Sequence, residues 1–198
     1  MEQVTPALAA LSHAQGDGGE GTSSPICAIV VNWNGWRDTL ACVASLLALD
    51  EGLLQIVVCD NGSSDGSVQH LQAWLAERDH KDRAAVHVLA LAENRGYAGG
   101  INAGIGWAQS QLGVRQFWLL NNDVEAQPGA LRELLAARAR VPDAGLCGSV
   151  LLEWDAPLQV QAVGGRYCRW LGVGRHDTTE CGDADGVYKI RVSNKTIV

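Results

Sequence analysis

Two carboxylates, Asp60 and Asp123, each close an apolar run. Ile56-Val57-Val58-Cys59 leads into Asp60-Asn61-Gly62-Ser63-Ser64-Asp65-Gly66, and Phe117-Trp118-Leu119-Leu120 leads into Asn121-Asn122-Asp123. An apolar run that halts on amides, hydroxyls and a carboxylate reads as a buried strand delivering polar groups to the rim of a sheet, where α/β proteins bind ligands. Asn32 to Gly35 follow the run Ile26 to Val31 in the same way, and Asn94 to Gly96 follow Val86 to Leu91. Four such ends converging on one rim suit a nucleotide-diphosphate ligand. A diphosphate and Asp123 repel each other, so their meeting requires a divalent cation, and oxygen donors select Mg²⁺ or Mn²⁺. Asp60, away from the diphosphate, is placed to accept from a base N–H or a ribose hydroxyl. The competing reading is that Asp60 and Asp65 only cap a turn and the helix after it.

A rim of this kind needs a βα alternation beneath it, and the chain supplies one from Ile26 onward. Strands are predicted at Ile26 to Val31, Leu54 to Cys59, Val86 to Leu91, Arg115 to Leu120 and Gly145 to Leu152. Helices are predicted near Trp36 to Leu49, Ser67 to Glu77, Tyr97 to Leu112, and after Asp123 up to Arg140, with Pro128 in the first turn of the last. Glycines 99, 100, 104 and 106 each cost the third helix about 1 kcal/mol. Close approach either to a sheet or to a ligand would account for them, and Tyr97 and Asn102 suit both. The fold class is therefore α/β, a mostly parallel twisted sheet with helices on both faces. Residues 1–24, rich in Ala, Gly and Ser, read as a disordered leader. Residues 25–152 form the core. In 153–198 the pattern loosens, with a strand near Gln159 to Tyr167 and then a Gly-rich, charged tail.

Composition narrows the partners. The chain has 198 residues, 47% hydrophobic and 19% charged, enough for one globular core. A net charge of -7 with scattered Lys and Arg gives no basic field for nucleic acid. The longest apolar stretches, such as Ala41 to Leu49, fall well short of the roughly 20 residues that span a bilayer. The first residues lack a basic segment followed by an apolar one, so no secretory signal or transmembrane segment is expected and the location expected is cytoplasmic. None of the six cysteines forms a Cys-x-x-Cys pair, which reads as reduced, mostly buried thiols. Cys168, His176, Asp177 and Cys181 lack the spacing of a zinc site. Of the tryptophans, Trp33 at the first strand's end is the one placed beside a ligand. The histidines have no nucleophile at a recognisable spacing and receive no role.

Four motifs in order, Val30-Val31-Asn32-Trp33-Asn34-Gly35, Asp60-Asn61-Gly62-Ser63-Ser64-Asp65-Gly66-Ser67, Asn94-Arg95-Gly96-Tyr97-Ala98-Gly99-Gly100-Ile101-Asn102-Ala103-Gly104 and Leu120-Asn121-Asn122-Asp123, resemble family 2 glycosyltransferases of the GT-A fold. Within that family the bacterial rhamnosyltransferase branch is the most similar. The resemblance implies inverting transfer of a sugar, rhamnose being the candidate, from a nucleotide-diphosphate donor. The acceptor would be a glycan or lipid-linked molecule of cell-surface polysaccharide synthesis, met at the inner face of the membrane. It puts Asp60 at the nucleobase, Asp123 on Mg²⁺ or Mn²⁺ as the last residue of the family's Asp-x-Asp motif, and Asn32, Trp33, Asn34, Asn94, Arg95 and Asn122 around the donor. Here that motif opens on an amide, Asn121.

Inverting transfer also needs a general base on the acceptor hydroxyl. The family carries it in a Glu-Asp type motif downstream of the metal Asp, and this chain has no such pair there. Asp177, Glu180, Asp183 and Asp185 are carboxylates without the aromatic and helical context the family shows, so no catalytic base is assigned. The chain reads as truncated on the acceptor side. Two alternatives follow: a nucleotide-sugar-binding fragment that does not transfer, and, more remotely, a nicotinamide-binding oxidoreductase domain, which lacks its Gly-x-Gly-x-x-Gly after the first strand.

Overall fold

The computed structural model describes residues 25–49, 54–141, 145–156, 159–162, 164–168, 173–177 and 189–192. The leader read at 1–24 lies outside them, as do Glu180, Asp183 and Asp185. The core runs β1 (Ile26–Asn32), α1 (Trp36–Leu47), β2 (Leu54–Asp60), α2 (Ser67–Ala76), α3 (His80–Ala85), β3 (Val86–Ala90), α4 (Gly96–Leu112) and β4 (Gln116–Asn121). After it come β5 (Val124–Ala126), α5 (Ala130–Arg140), β6 (Val150–Glu153), β7 (Val160–Ala162), β8 (Gly164–Cys168), β9 (Val173–Asp177) and β10 (Lys189–Val192).

The main sheet has the order β3-β2-β1-β4, every pair parallel. All seven residues of β1 are buried, because helices cover both faces of the sheet and leave no polar side for alternation to mark. Ala28 and Val30 pack with Cys42, Val43 and Leu46 of α1, Leu71 of α2 and Leu131 of α5. Cys27, Ile29 and Val31 face the other way, toward Ile101 and Ala108 of α4. α1 buries Thr39, Cys42, Val43 and Leu46, an i, i+3, i+4, i+7 stripe.

On α4 the stripe is made of small residues, and close packing is their reason. A Cβ at Gly104 would lie 2.7 Å from Ile29 Cγ2, and one at Gly100 would lie 2.9 Å from Val31 Cγ1. The helix thus sits on β1 nearer than alanine would allow. Gly106, by contrast, has open space where a side chain would be.

Several expectations are corrected. The strand predicted at 145–152 shortens to β6 and leaves the parallel sheet for a second one ordered β5-β10-β6-β7. Only Val150 and Leu152 alternate inward there while Leu146 is 94% exposed, so the segment has one buried side and cannot serve as a two-faced central strand. Pro128 precedes the helix it was expected to open, because Gly129 is its N-cap, in the left-handed region at φ 79°. The strand near 159–167 is two short ones, β7 and β8, and β8 pairs antiparallel with β9. The tail contributes β10, parallel to β6 and antiparallel to β5. Cys27, Cys42 and Cys59 are buried free thiols, as expected, and burial pushes their pKa values up to about 12, 12 and 11.

Candidate functional site

The strand order reverses direction between β1 and β4. Strands β1, β2 and β3 step one way, and the chain then crosses back to lay β4 on the free side of β1. The crossovers on either side of that point leave a crevice outside the strand ends, which is where open α/β sheets bind ligands. A cavity of about 260 Å³ opens there, with Val31 of β1 and Asn121 of β4 in its wall. Of the residues expected around a donor, Trp33, Asn94, Asn122 and Asp123 line it; Asn61, Gly96 and Tyr97 line it too and were not assigned from sequence. A second cavity of like volume lies at the opposite end of the sheet, beside Leu46, Leu54 and Lys81, and includes none of the four polar strand ends.

Asn32 and Asp60, both expected beside the donor, lie buried at the ends of β1 and β2. Asn32 is 0% and Asp60 1% exposed. Asp60 Oδ1 accepts from Asn32 Nδ2 at 2.6 Å and its Oδ2 accepts from the Ser63 amide at 3.0 Å. Asn32 Nδ2 also reaches Ser63 Oγ at 3.2 Å, and its Oδ1 accepts from Thr39 Oγ1 at 2.8 Å. A carboxylate this deep needs such partners, and here they fix the loop that follows β2. Asn34 completes the knot in a left-handed conformation, φ 52°, which Asn tolerates better than most residues. Its backbone N–H donates to Ser63 Oγ at 2.9 Å, and its Oδ1 accepts from the Ser64 amide at 2.8 Å. Asn34 is exposed but off the cavity wall.

Asn61, 2% exposed, performs the same service for the loop before α4. Its Nδ2 donates to Asn94 Oδ1 at 2.9 Å and to the Gly96 carbonyl at 3.1 Å, while its Oδ1 accepts from the Arg95 amide at 2.9 Å. Gly62 permits the approach: at φ 71°, a Cβ there would fall 2.6 Å from the Glu93 carbonyl carbon. Arg95 is exposed, its backbone held in this knot and its side chain outside the cavity wall. An Asn after a strand-end Asp is a sequence signal for Asn61, but one indistinguishable from any turn-forming Asn.

At the end of β4, Asn122 and Asp123 form the turn into β5. Asn122 Nδ2 donates to Thr39 Oγ1 at 3.1 Å and toward the Gly35 carbonyl at 3.3 Å, both at the start of α1. Asp123 is half-buried, and its charge is felt on both flanks. Burial and then that charge raise the Tyr97 phenol on α4; on α1 the Cys42 thiol is raised by burial first and next by Asp123.

The donor set suits a hard divalent cation of partial protein coordination. Among the described residues no three His, Cys, Asp or Glu side chains gather around one point, so no all-protein cage exists there. Mg²⁺ and Mn²⁺ accept a single carboxylate when ligand phosphate and water complete the shell, and Asp123 on the cavity wall offers that carboxylate. Mg²⁺ or Mn²⁺ held so would neutralise a diphosphate and stabilise it as a leaving group.

Residues 27–158 match Glycosyl transferase family 2, and the chain belongs to that family. The parallel sheet with helices on both faces is accordingly of the GT-A-like α/β type that the motifs led one to expect. Among curated proteins, the low-salt glycan biosynthesis hexosyltransferase Agl10 of Haloferax volcanii is 30% identical over 106 residues, 54% of this chain and 30% of the relative. Among solved structures, S. aureus TarS in complex with UDP-GlcNAc aligns at 18% identity and a TM-score of 0.49, covering 73% of this chain and 36% of that one. The mannosyltransferase PcManGT of Pyrobaculum calidifontis, with GDP-Man and Mn²⁺, aligns at 20% identity and a TM-score of 0.47, covering 66% and 36%. The chain spans about a third of the length of each of these relatives.

Proposed function

We propose, from the premise of family 2 membership, that this chain binds a nucleotide-diphosphate sugar in the cavity between β1 and β4 and serves its transfer to an acceptor. The observation that carries this is Asp123, brought to the wall of that cavity by the turn after β4. In this reading Asp123 holds Mg²⁺ or Mn²⁺ against the diphosphate. Trp33, 52% exposed on the same wall, offers its ring to the nucleoside, and Asn94 offers its amide. Asp60 and Asn32 act from beneath, holding the loop against which the nucleoside rests. The finer proposal is inverting transfer, with rhamnose as the candidate sugar and a glycan or lipid-linked acceptor at the inner membrane face. The role of the curated relative in glycan biosynthesis agrees with that class of product. Among the described residues no helix is long and apolar enough to cross a membrane.

A second reading is supported by the cavity wall itself, which carries no carboxylate besides Asp123 among the described residues. A general base for the acceptor is thus not visible beside the donor site, and binding without transfer is the competing outcome. Calorimetry with UDP-, dTDP- and GDP-sugars, with and without Mn²⁺, tests both readings. Metal-dependent binding that disappears in Asp123→Ala supports the site; binding indifferent to both sinks it. Release of nucleoside diphosphate in the presence of acceptor then separates a transferase from a binding segment.

A further inference from the structure

Thr39 is a buried hydroxyl in a helix stripe otherwise made of Cys42, Val43 and Leu46. Such a group persists only where it has partners, and its partners here belong to three different segments. Its Oγ1 accepts from Asn122 Nδ2 at 3.1 Å and lies 2.8 Å from Asn32 Oδ1 and 3.0 Å from the Gly35 carbonyl. One hydroxyl proton serves one of those two acceptors at a time, while the lone pairs remain open to Asn122. The Asn122 amide also points at the Gly35 carbonyl, so both its N–H groups have a receiver. Gly35 makes the room: a Cβ there would lie 2.8 Å from Asn122 Nδ2.

We infer that Gly35 and Thr39 form a dock for the Asn122 amide, and that this dock fixes the turn aiming Asp123 at its cation. Thr39 is then a positioning residue, acting on the cation through Asn122 and Asp123 without touching it. The inference rests on the reading of Asp123 as a cation ligand. It also explains why an amide stands at position 122, since a carboxylate there would turn lone pairs toward the Gly35 carbonyl. Through Asn32 the same hydroxyl reaches Asp60, so one line of hydrogen bonds spans the β2 and β4 ends and sets their spacing.

The test compares Thr39→Val, which keeps the shape and loses the hydroxyl, with Thr39→Ser, which keeps the hydroxyl. Mn²⁺ is titrated calorimetrically into the full chain saturated with UDP or GDP, whichever the wild type binds, and the same nucleotide is titrated without metal. Thr39→Val should weaken Mn²⁺ by about tenfold, the low end of what loss of a partner bonded to the metal ligand itself causes, since Thr39 stands one residue further out, with metal-free nucleotide affinity within about twofold and Thr39→Ser close to wild type. Wild-type Mn²⁺ affinity in Thr39→Val, or an equal loss in Thr39→Ser, overturns the dock. Should Thr39→Val fail to fold, Asn122→Ala reads the dock from its other side: a loss of Mn²⁺ affinity of similar size supports it, and wild-type affinity overturns it. Loss in Asp123→Ala without loss in either dock variant defeats the dock alone. Nucleotide binding indifferent to Mn²⁺ and to Asp123→Ala defeats the cation reading, and the dock's role with it.

Discussion

At the end of β2, Asp60 is 1% exposed and both its oxygens accept hydrogen bonds from within the protein. Two residues past the end of β4, Asp123 stands on the wall of a cavity, and its charge adds to burial in raising the pKa of a tyrosine on the facing helix. In sequence the two ends are near twins, an apolar run stopped by Asp and Asn. Depth separates them: β2 lies between β1 and β3 and its carboxylate falls under the loop that follows, whereas the turn into β5 lifts Asp123 out of the sheet. A strand-end carboxylate is therefore a latch beneath its loop or a group open to a cavity according to whether the chain folds back over it. Its residue type alone does not decide.

The sharpest way to break this contrast is Asp123→Ala. Transfer, or metal-dependent nucleotide binding, should fall by about 100- to 1000-fold, as when a stabiliser of developing charge is removed. Folding stability in urea should change by about 1 kcal/mol or less. An Asp123→Ala protein that unfolds early would make Asp123 a second latch.

Next comes Gly62→Ala, which acts on the latch without touching a carboxylate. The positive φ and the 2.6 Å approach to the Glu93 backbone predict a loss of about 2 to 3 kcal/mol in denaturant unfolding. A near-neutral result would mean that the loops after β2 and β3 are not held as described.

Asp60→Asn should be milder, because one oxygen survives while the new N–H₂ meets donors on Asn32 or Ser63. About 1 to 3 kcal/mol of stability should be lost, the range for a buried hydrogen bond replaced by a mismatch. If instead nucleotide affinity collapses in a fully stable Asp60→Asn protein, Asp60 is a ligand group and the contrast with Asp123 is void.

The smallest effect concerns two thiols that report on the two ends. Cys59 directly precedes Asp60, and Cys42 Sγ lies 3.7 Å from the Asn121 carbonyl. With burial holding their pKa values near 11 and 12, both stay protonated at pH 8 and should label slowly with a thiol reagent. Asp60→Asn should speed labelling at Cys59 more than at Cys42, as judged by mass spectrometry of the labelled peptides. Equal acceleration at both would show that the two ends open together.

Much of the core was legible because the apolar runs of β1 and β2 are continuous and α1 keeps a regular stripe, features a buried parallel sheet imposes on any sequence. α3 and β5 were not, being too short for any period to declare itself. The convergence of Trp33, Asn94, Asn122 and Asp123 followed from the parallel direction of the strands, which the βα alternation implies and which puts their carboxyl ends on one rim. Asn61 reached the rim without a role and Tyr97 stayed between sheet and ligand, because their parts depend on the depth of one and the facing of the other, neither encoded in spacing. Spacing is equally silent on the depth of Asn32 and Asp60, so it left Asp60 between donor contact and the capping of its own loop. Gly100 and Gly104 posed a choice between sheet and ligand that only the distances to Val31 and Ile29 resolve.

The central position of β1 also orders events during synthesis. One of its edges is closed early by β2, the next strand of the chain; the other waits until Ile26 meets Gln116, with two further strands and four helices emerging in between. Contacts so distant in sequence form slowly, and an open hydrophobic edge is prone to pair with another chain meanwhile. The crevice that holds Asp123 is thus the last part of the main sheet to come into being, and refolding yield should depend on protein concentration more steeply than the finished domain's compactness suggests.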